Sequence, residues 1–248
     1  LKLRLSAGLT GQQDGIGDYV HLARYRSIND PYRLYDMGAA GYIGYLTPQA
    51  YDPTIRWETT MTYNIGLDYG FFNERLSGSI DAYIRDTRDL LNSVQVPMGS
   101  NFGNKLMTNI GSIRNKGLEF SISAIPVQKP DWSVQVGFNG TFQDTKFTRL
   151  NPTEDQNYYI ETGNISKGTG GYLCRQMVGY APYTYYTYKQ KYDSDGSPIQ
   201  NSFEDLDGDG TITENDRYMT GKSASPKFFY GMNLKVTYRN WDFGLNGH

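Results

Sequence analysis

The chain predicts an all-β fold: an antiparallel transmembrane β-barrel segment of about seven strands, with long extracellular loops. Two observations carry this. Seven runs alternate apolar and polar residues with period two, several near the roughly 9–11 residues that a tilted strand needs to cross a bilayer. The connections between the runs alternate in length, short then long, as the turns and loops of a membrane barrel do.

The first run, residues 1–9, places Leu1, Leu3, Leu5, Ala7 and Leu9 opposite Lys2, Arg4, Ser6 and Gly8. Residues 61–69 set Met61, Tyr63, Ile65, Leu67 and Tyr69 against Thr62, Asn64, Gly66 and Asp68. Residues 76–84 set Leu76, Ile80, Ala82 and Ile84 against Ser77, Ser79, Asp81 and Tyr83. Residues 118–124 set Leu118, Phe120 and Ile122 against Glu119, Ser121 and Ser123. Residues 132–142 set Trp132, Val134, Val136, Phe138 and Phe142 against Ser133, Gln135, Asn139 and Thr141. Residues 228–238 set Phe228, Tyr230, Met232, Leu234, Val236 and Tyr238 against Asn233, Lys235 and Thr237, and residues 241–245 restart the pattern with Trp241, Phe243 and Leu245. Aromatic residues sit at many run ends, where an interfacial girdle would place them.

The short connections are 70–74, 126–131 and 239–240, and the long ones are about 11–56, 86–113 and 147–226. With the first strand running outward, every long connection falls on the outer side. Seven strands cannot close a large barrel, and an open edge is not viable in lipid. The alternation also runs into both ends of the sequence, with no initiator methionine or signal peptide at the start. The expectation is a piece of a larger barrel spanning 1–248, with 147–226 as a large extracellular loop.

Composition fits this reading. Tyrosine is abundant at 22 residues and there is no run of about 18 apolar residues, so no transmembrane helix is expected, which does not exclude a membrane barrel. The net charge of −2 gives no basic field to attract nucleic acid. The single cysteine, Cys174, precludes an internal disulfide and is expected to be a small packed residue.

Residues 205–216 read Asp-Leu-Asp-Gly-Asp-Gly-Thr-Ile-Thr-Glu-Asn-Asp. Acidic side chains stand at loop positions one, three, five and twelve, with glycine at six, which is the schedule of an EF-hand-type calcium loop. Asp205, Asp207 and Asp209 would give side-chain oxygens, Thr211 its backbone carbonyl, and Asp216 would close the shell of a Ca2+ ion, with Ile212 pointing inward. The twelfth residue is Asp, shorter than the usual Glu. The alternative is a solvated Asp/Gly turn.

Other motifs are weaker. With His21 and His248 as the only histidines and no G-x-S-x-G, H-E-x-x-H or C-x-x-C, no catalytic constellation is present, and the chain is not expected to be an enzyme. Gly221-Lys222-Ser223 imitates the end of a phosphate loop, but Asp216 stands where its first glycine belongs. Asp193-Ser194-Asp195-Gly196 reads as an ordinary turn. Arg85-Asp86-Thr87-Arg88-Asp89 reads as a solvated rim. The tyrosines of 180–192, with Tyr183, Tyr185, Tyr186 and Tyr188 as candidates, could stack on sugar rings or pack within the loop.

Several linked stretches resemble the barrel of SusC/RagA-type TonB-dependent transporters. They are Trp57-Glu58-Thr59-Thr60, Asn64-Ile65-Gly66-Leu67-Asp68, Asn109-Ile110-Gly111 with Asn115 to Phe120, and Phe203-Glu204-Asp205 through Asp216-Arg217 to Gly221, Pro226-Lys227-Phe228 and Tyr230-Gly231. The resemblance implies a 22-stranded outer-membrane barrel with a plug, driven by TonB, capped by a SusD-like surface lipoprotein, and importing glycans or peptides in Bacteroidetes. The plug and the TonB-contact segment are not in this sequence, so no residue of theirs carries over. A soluble secreted calcium-binding β adhesion module is the rival reading, although a dockerin-like arrangement would want two such loops, each with a helix.

Overall fold

The computed structural model describes residues 1–27, 35–36, 42–43, 46–96, 105–151, 155, 157–165 and 171–248. The parts of the three expected long connections at 28–34, 37–41, 44–45, 97–104, 152–154, 156 and 166–170 lie outside the described residues. In chain order the strands are β1 (Lys2–Gln12), β2 (Tyr25–Ser27), β3 (Tyr35–Asp36), β4 (Tyr42–Ile43), β5 (Leu46–Pro48), β6 (Glu58–Phe71), β7 (Leu76–Gln95) and β8 (Lys105–Lys129). They continue with β9 (Trp132–Arg149), β10 (Tyr159–Asn164), β11 (Tyr172–Met177), β12 (Thr184–Tyr188), β13 (Gln190–Tyr192), β14 (Pro198–Phe203), β15 (Arg217–Ser223), β16 (Phe228–Tyr238) and β17 (Trp241–Gly247).

The seven predicted strands form one sheet in the order β1-β6-β7-β8-β9-β16-β17, so strands adjacent in that order follow one another around an open, incomplete barrel wall. The β9–β16 ladder runs unbroken from Tyr238 opposite Trp132 to Phe228 opposite Phe142, and β16–β17 turns tightly with Tyr238 opposite Trp241. One face stays apolar and bare: Leu3, Ile65, Val136, Phe138, Met232 and Phe243 are all exposed. A soluble antiparallel sheet covers its apolar face with a second layer. Among the described residues nothing covers this one, as expected of a wall that meets lipid.

The chain divides into two compact units, one made of Leu1–Gly8, Thr62–Asp86 and Ile113–His248, the other of Leu9–Met61 and Thr87–Ser112. In the first unit the small core lies where β9 ends. Phe147 is bonded to the backbone of Gly179 and Tyr180, and Leu150, Cys174 and Thr184 are buried.

Two expectations change. Residues 86–113 are not mainly a loop, because β7 continues to Gln95 and β8 begins at Lys105. The charge run there is strand: the Arg114 guanidinium donates to both oxygens of Asp86 at 2.6 and 3.1 Å. Where both faces of a ladder are polar the apolar signal stops, though the pairing does not. Residues 147–226, in turn, are not plain loop. They hold the four-stranded sheet β10-β11-β12-β15 and the β13–β14 hairpin. That hairpin turns at Asp193, whose Oδ1 accepts the amides of Asp195 and Ser197, so the short acidic stretch is a turn.

Candidate functional site

On the polar face of the first unit, Arg4 donates to Asp68 at 3.0 Å and to Asp81 at 2.8 Å. One guanidinium on two carboxylates ties β1, β6 and β7 together on the side away from the apolar band. Gly66 lies beneath this cluster, where a Cβ would collide with Asp81 Oδ1. Further along, the buried Tyr83 ring lies over Gly117, and Asn139 and Asn233 lie over Gly231 and Gly137 in reciprocal fashion. These glycines let large side chains lie flat on the wall. The apolar face carries a shallow dent of about 590 Å³ over Ala7 and Ala82, flanked by Leu5, Tyr63, Ile65 and Ile84.

The second unit is pinned at the Trp57-Glu58 stretch. Asp89, within β7, adopts φ 58, a left-handed conformation. Three side chains serve the groups around it. Asn109 Nδ2 donates to the Asp89 carbonyl at 2.6 Å, Glu58 Oε1 accepts the Leu91 amide at 2.9 Å, and Arg56 donates to Asp89 Oδ1 at 2.7 Å. Asn109 also accepts the Arg56 amide and donates to the Arg56 carbonyl, both at 2.8 Å, standing in for a strand partner. Trp57 packs over Gly11, where a Cβ would come within 3.1 Å of its ring.

The sheet formed by 159–223 is held by alternating cations and rings. Arg175 lies 3.8 Å from the Tyr159 ring and 3.5 Å from the Tyr186 ring. Arg217 lies 4.7 Å from Tyr186 and 5.9 Å from Tyr188, and donates to the Tyr186 carbonyl at 2.8 Å. Tyr188 also packs on Phe203 with centroids 5.3 Å apart. Of the four candidate tyrosines, Tyr186 and Tyr188 are therefore occupied by the loop itself. Tyr185 is half-buried, and Tyr183, 47% exposed, has the most accessible ring.

The acidic loop joins β14 to β15. Asp205, Asp207 and Asp209 each bring a carboxylate oxygen within 4.8 Å of the others. Asp205 is fixed by the amides of Gly208 at 2.6 Å and Gly210 at 2.8 Å, and both glycines have positive φ. Asp209 Oδ1 accepts the amide and hydroxyl of Thr211, both at 2.7 Å, which leaves the Thr211 carbonyl as the group it could offer a cation. Asp209 Oδ1 thus accepts two bonds, which leaves Oδ2 as the Asp209 oxygen for a cation. The donor set, hard and anionic, fits calcium.

Asp216 is not gathered into that cluster. It is fully buried, with Oδ1 accepting the Leu206 amide at 2.7 Å and Oδ2 the Thr213 amide at 2.7 Å. The Thr213 bond first, then those of Leu206 and Asp207, hold its carboxyl below the usual carboxylate range. Thr213 caps the short 3-10 turn Glu214–Asp216, and its side chain accepts the Asn215 amide. Ile212 points outward and is 44% exposed, since a single loop has no paired loop to bury it. Sequence reasoning missed Arg175, Arg217 and Asn109, whose partners lie on other strands.

A family model described as TonB dependent receptor-like, beta-barrel matches residues 19–248. The chain is 41% identical to the TonB-dependent receptor SusC of Bacteroides thetaiotaomicron over 247 residues, which cover 99% of this chain and 24% of that protein. It is 32% identical over 263 residues to TonB-dependent receptor P3 of Formosa agariphila, covering 98% of this chain and 25% of that one. A solved structure of the RagAB peptide transporter superposes with a TM-score of 0.75 at 23% identity, covering 98% of this chain and 26% of its own, and so shares the fold. The chain spans about a quarter of the length of the relatives it matches. The bare apolar band, the polar opposite face and the family match over nearly the whole length agree, and the chain belongs to the TonB-dependent receptor-like β-barrel family.

Proposed function

We propose that the chain forms part of the wall of a TonB-dependent importer that carries nutrient oligosaccharides across a bacterial outer membrane. The supporting observation is the two-faced sheet: apolar residues bare on one side, the Arg4–Asp68–Asp81 cluster and amide side chains on the other. The soluble adhesion reading needs that apolar face covered. Transport, not catalysis, is the activity. A SusD-like surface lipoprotein would lid the outer side, and TonB would act through a segment outside this sequence. Glycan cargo is favoured over peptide because identity to SusC is 41%, against 23% to the RagAB peptide transporter. Deleting the gene and measuring uptake of labelled oligosaccharides and oligopeptides tests this. Loss of oligosaccharide uptake alone is expected. Loss of peptide uptake alone would reverse the cargo, and loss of neither would sink the proposal.

We further propose that Asp205, Asp207, Asp209 and the Thr211 carbonyl hold a calcium ion that keeps the outer loop in shape. Asp216 supports the site from behind by bonding the amides of both loop ends. Tyr183 is the tyrosine placed to meet a ligand.

A further inference from the structure

Three cations stand on the apolar face just past its band of bare hydrophobic side chains. On β8 the exposed Leu118 and Ile122 belong to that band, and Phe120 packs on Phe138 of β9 with centroids 5.7 Å apart. Side chains alternate along a strand, so Lys116 and Arg114 continue the same face past Leu118. On β9 the band ends at Phe142, and Asp144 and Lys146 continue its face. Asn115, on the opposite face, donates to Gln143 and Thr145, which sets the two stretches side by side. Both strands lie inside the sheet, flanked by β7 and β16, so this chain itself fills the wall on either side.

Lys116 stands two residues past the band, about 5 Å higher at a strand tilt of about 40°, and Arg114 and Lys146 stand four residues past it, about 10 Å higher. The headgroup layer beside the hydrocarbon core is about 5–8 Å thick, and long basic side chains bend to keep their charge in it. The acids nearby do not use up these cations. Asp86 takes two bonds from Arg114, at 2.6 and 3.1 Å. Asp144 lies 3.8 Å from Lys146, beyond hydrogen-bond range. Lys116 is exposed and makes no ion pair among the described residues. The Arg114 and Lys146 side chains are 56% and 54% exposed. Three cations against two carboxylates leave one net positive charge, and a lipid phosphodiester carries one negative charge. Arg and Lys bond phosphate oxygens strongly, and an apolar surface lies directly below for the acyl chains. We infer that this rim binds the phosphate of one anionic lipid in the leaflet on the long-loop side. Lys116 meets it nearest the membrane, with Arg114 and Lys146 above. The inference rests on the membrane wall, not on the cargo, and adds a lipid partner to it.

The test uses the full-length parent protein, stripped of lipid in detergent and titrated with phosphatidylglycerol or phosphatidylcholine. Native mass spectrometry counts the lipid bound. The wild type should hold one phosphatidylglycerol more tightly than any phosphatidylcholine. Lys116→Gln with Lys146→Gln leaves the Arg114–Asp86 pair intact. It should weaken that one site about 25-fold, about five-fold for each cation, and leave phosphatidylcholine binding unchanged. Lys191→Gln with Lys222→Gln, at exposed cations of β13 and β15, should change neither. Denaturant unfolding in phosphatidylcholine vesicles checks the fold of each variant. If the double variant does not assemble, Lys116→Gln alone decides. Wild-type affinity for phosphatidylglycerol in the Lys116 variants overturns the site and leaves the wall standing. So does an equal loss of both lipids, which would assign the change to packing, and so does displacement of the lipid by millimolar inorganic phosphate. Protein that binds neither lipid overturns the wall as well.

Discussion

Phe142 and Phe228 stand directly opposite each other at one end of the β9–β16 ladder, their rings stacked with centroids 4.3 Å apart. At the other end Trp132 and Tyr238 form a second pair, 4.8 Å apart. Ten residue steps separate them, about 33 Å along the strand, or about 25 Å of height at a tilt of about 40°. That is the height of the apolar band of an outer-membrane barrel, closed above and below by aromatic girdles. The two pairs are spaced as the two girdles of such a band are.

Val136 lies near the middle of that band and is exposed on its apolar face. Val136→Arg should therefore destabilise the full-length protein in lipid by ~2–4 kcal/mol. Gln135→Arg, one residue away but on the polar face, should cost little. Denaturant unfolding in vesicles compares them, and equal losses would contradict the assignment of faces.

Asn109→Ala removes one side chain that serves the Arg56 amide and the carbonyls of Arg56 and Asp89. Leaving those groups unpaired should cost about 1–3 kcal/mol locally. Hydrogen exchange should quicken at Arg56 and Leu91. Unchanged protection at both amides would show that the backbone around Asp89 is held by other means.

Sequence reading reached the faces of the wall because a strand between lipid and water must change character at every residue. Val134, Gln135 and Val136 announce their sides without any partner in view. The acidic cluster was legible for a similar reason, since Asp205, Asp207 and Asp209 lie within one turn of chain. Beyond the membrane the code fades. Asp86 and Arg114 continue a ladder between two polar faces, and nothing in their composition says strand. The left-handed backbone at Asp89 was hidden because aspartate tolerates that region without the glycine that usually marks it. The position of Asp216 asked for an oxygen, but spacing could not say that backbone amides take it.

Calcium should bind the full-length protein weakly, with Kd of order 10⁻⁴–10⁻³ M as in extracellular modules. Asp207→Ala with Asp209→Ala should abolish the calorimetric heat, and the ion should slow proteolysis within 203–217 only in the wild type. Equal heats from both proteins would remove the site.

Cys174 is 5% exposed, and burial pushes its thiol pKa up. With any other cysteines replaced by serine, it should resist iodoacetamide at pH 8. Arg217→Ala frees the Tyr186 carbonyl and ring, and should speed labelling about ten-fold through local opening. Arg217→Lys should not restore protection, because an ammonium cannot stack and fork as a guanidinium does. Labelling as slow as in the wild type would show that the stack does not hold this sheet.

The wall assignment is tested most directly by single spin labels at positions 133, 134, 135, 136 and 138 of the full-length protein in lipid, with Cys174 and any other cysteine replaced by serine. Oxygen, which concentrates in the bilayer, and a water-soluble nickel chelate report the two sides. Labels replacing Val134, Val136 and Phe138 should collide with oxygen, and those replacing Ser133 and Gln135 should not. Loss of that alternation, or chelate access at Val136, would contradict a membrane wall.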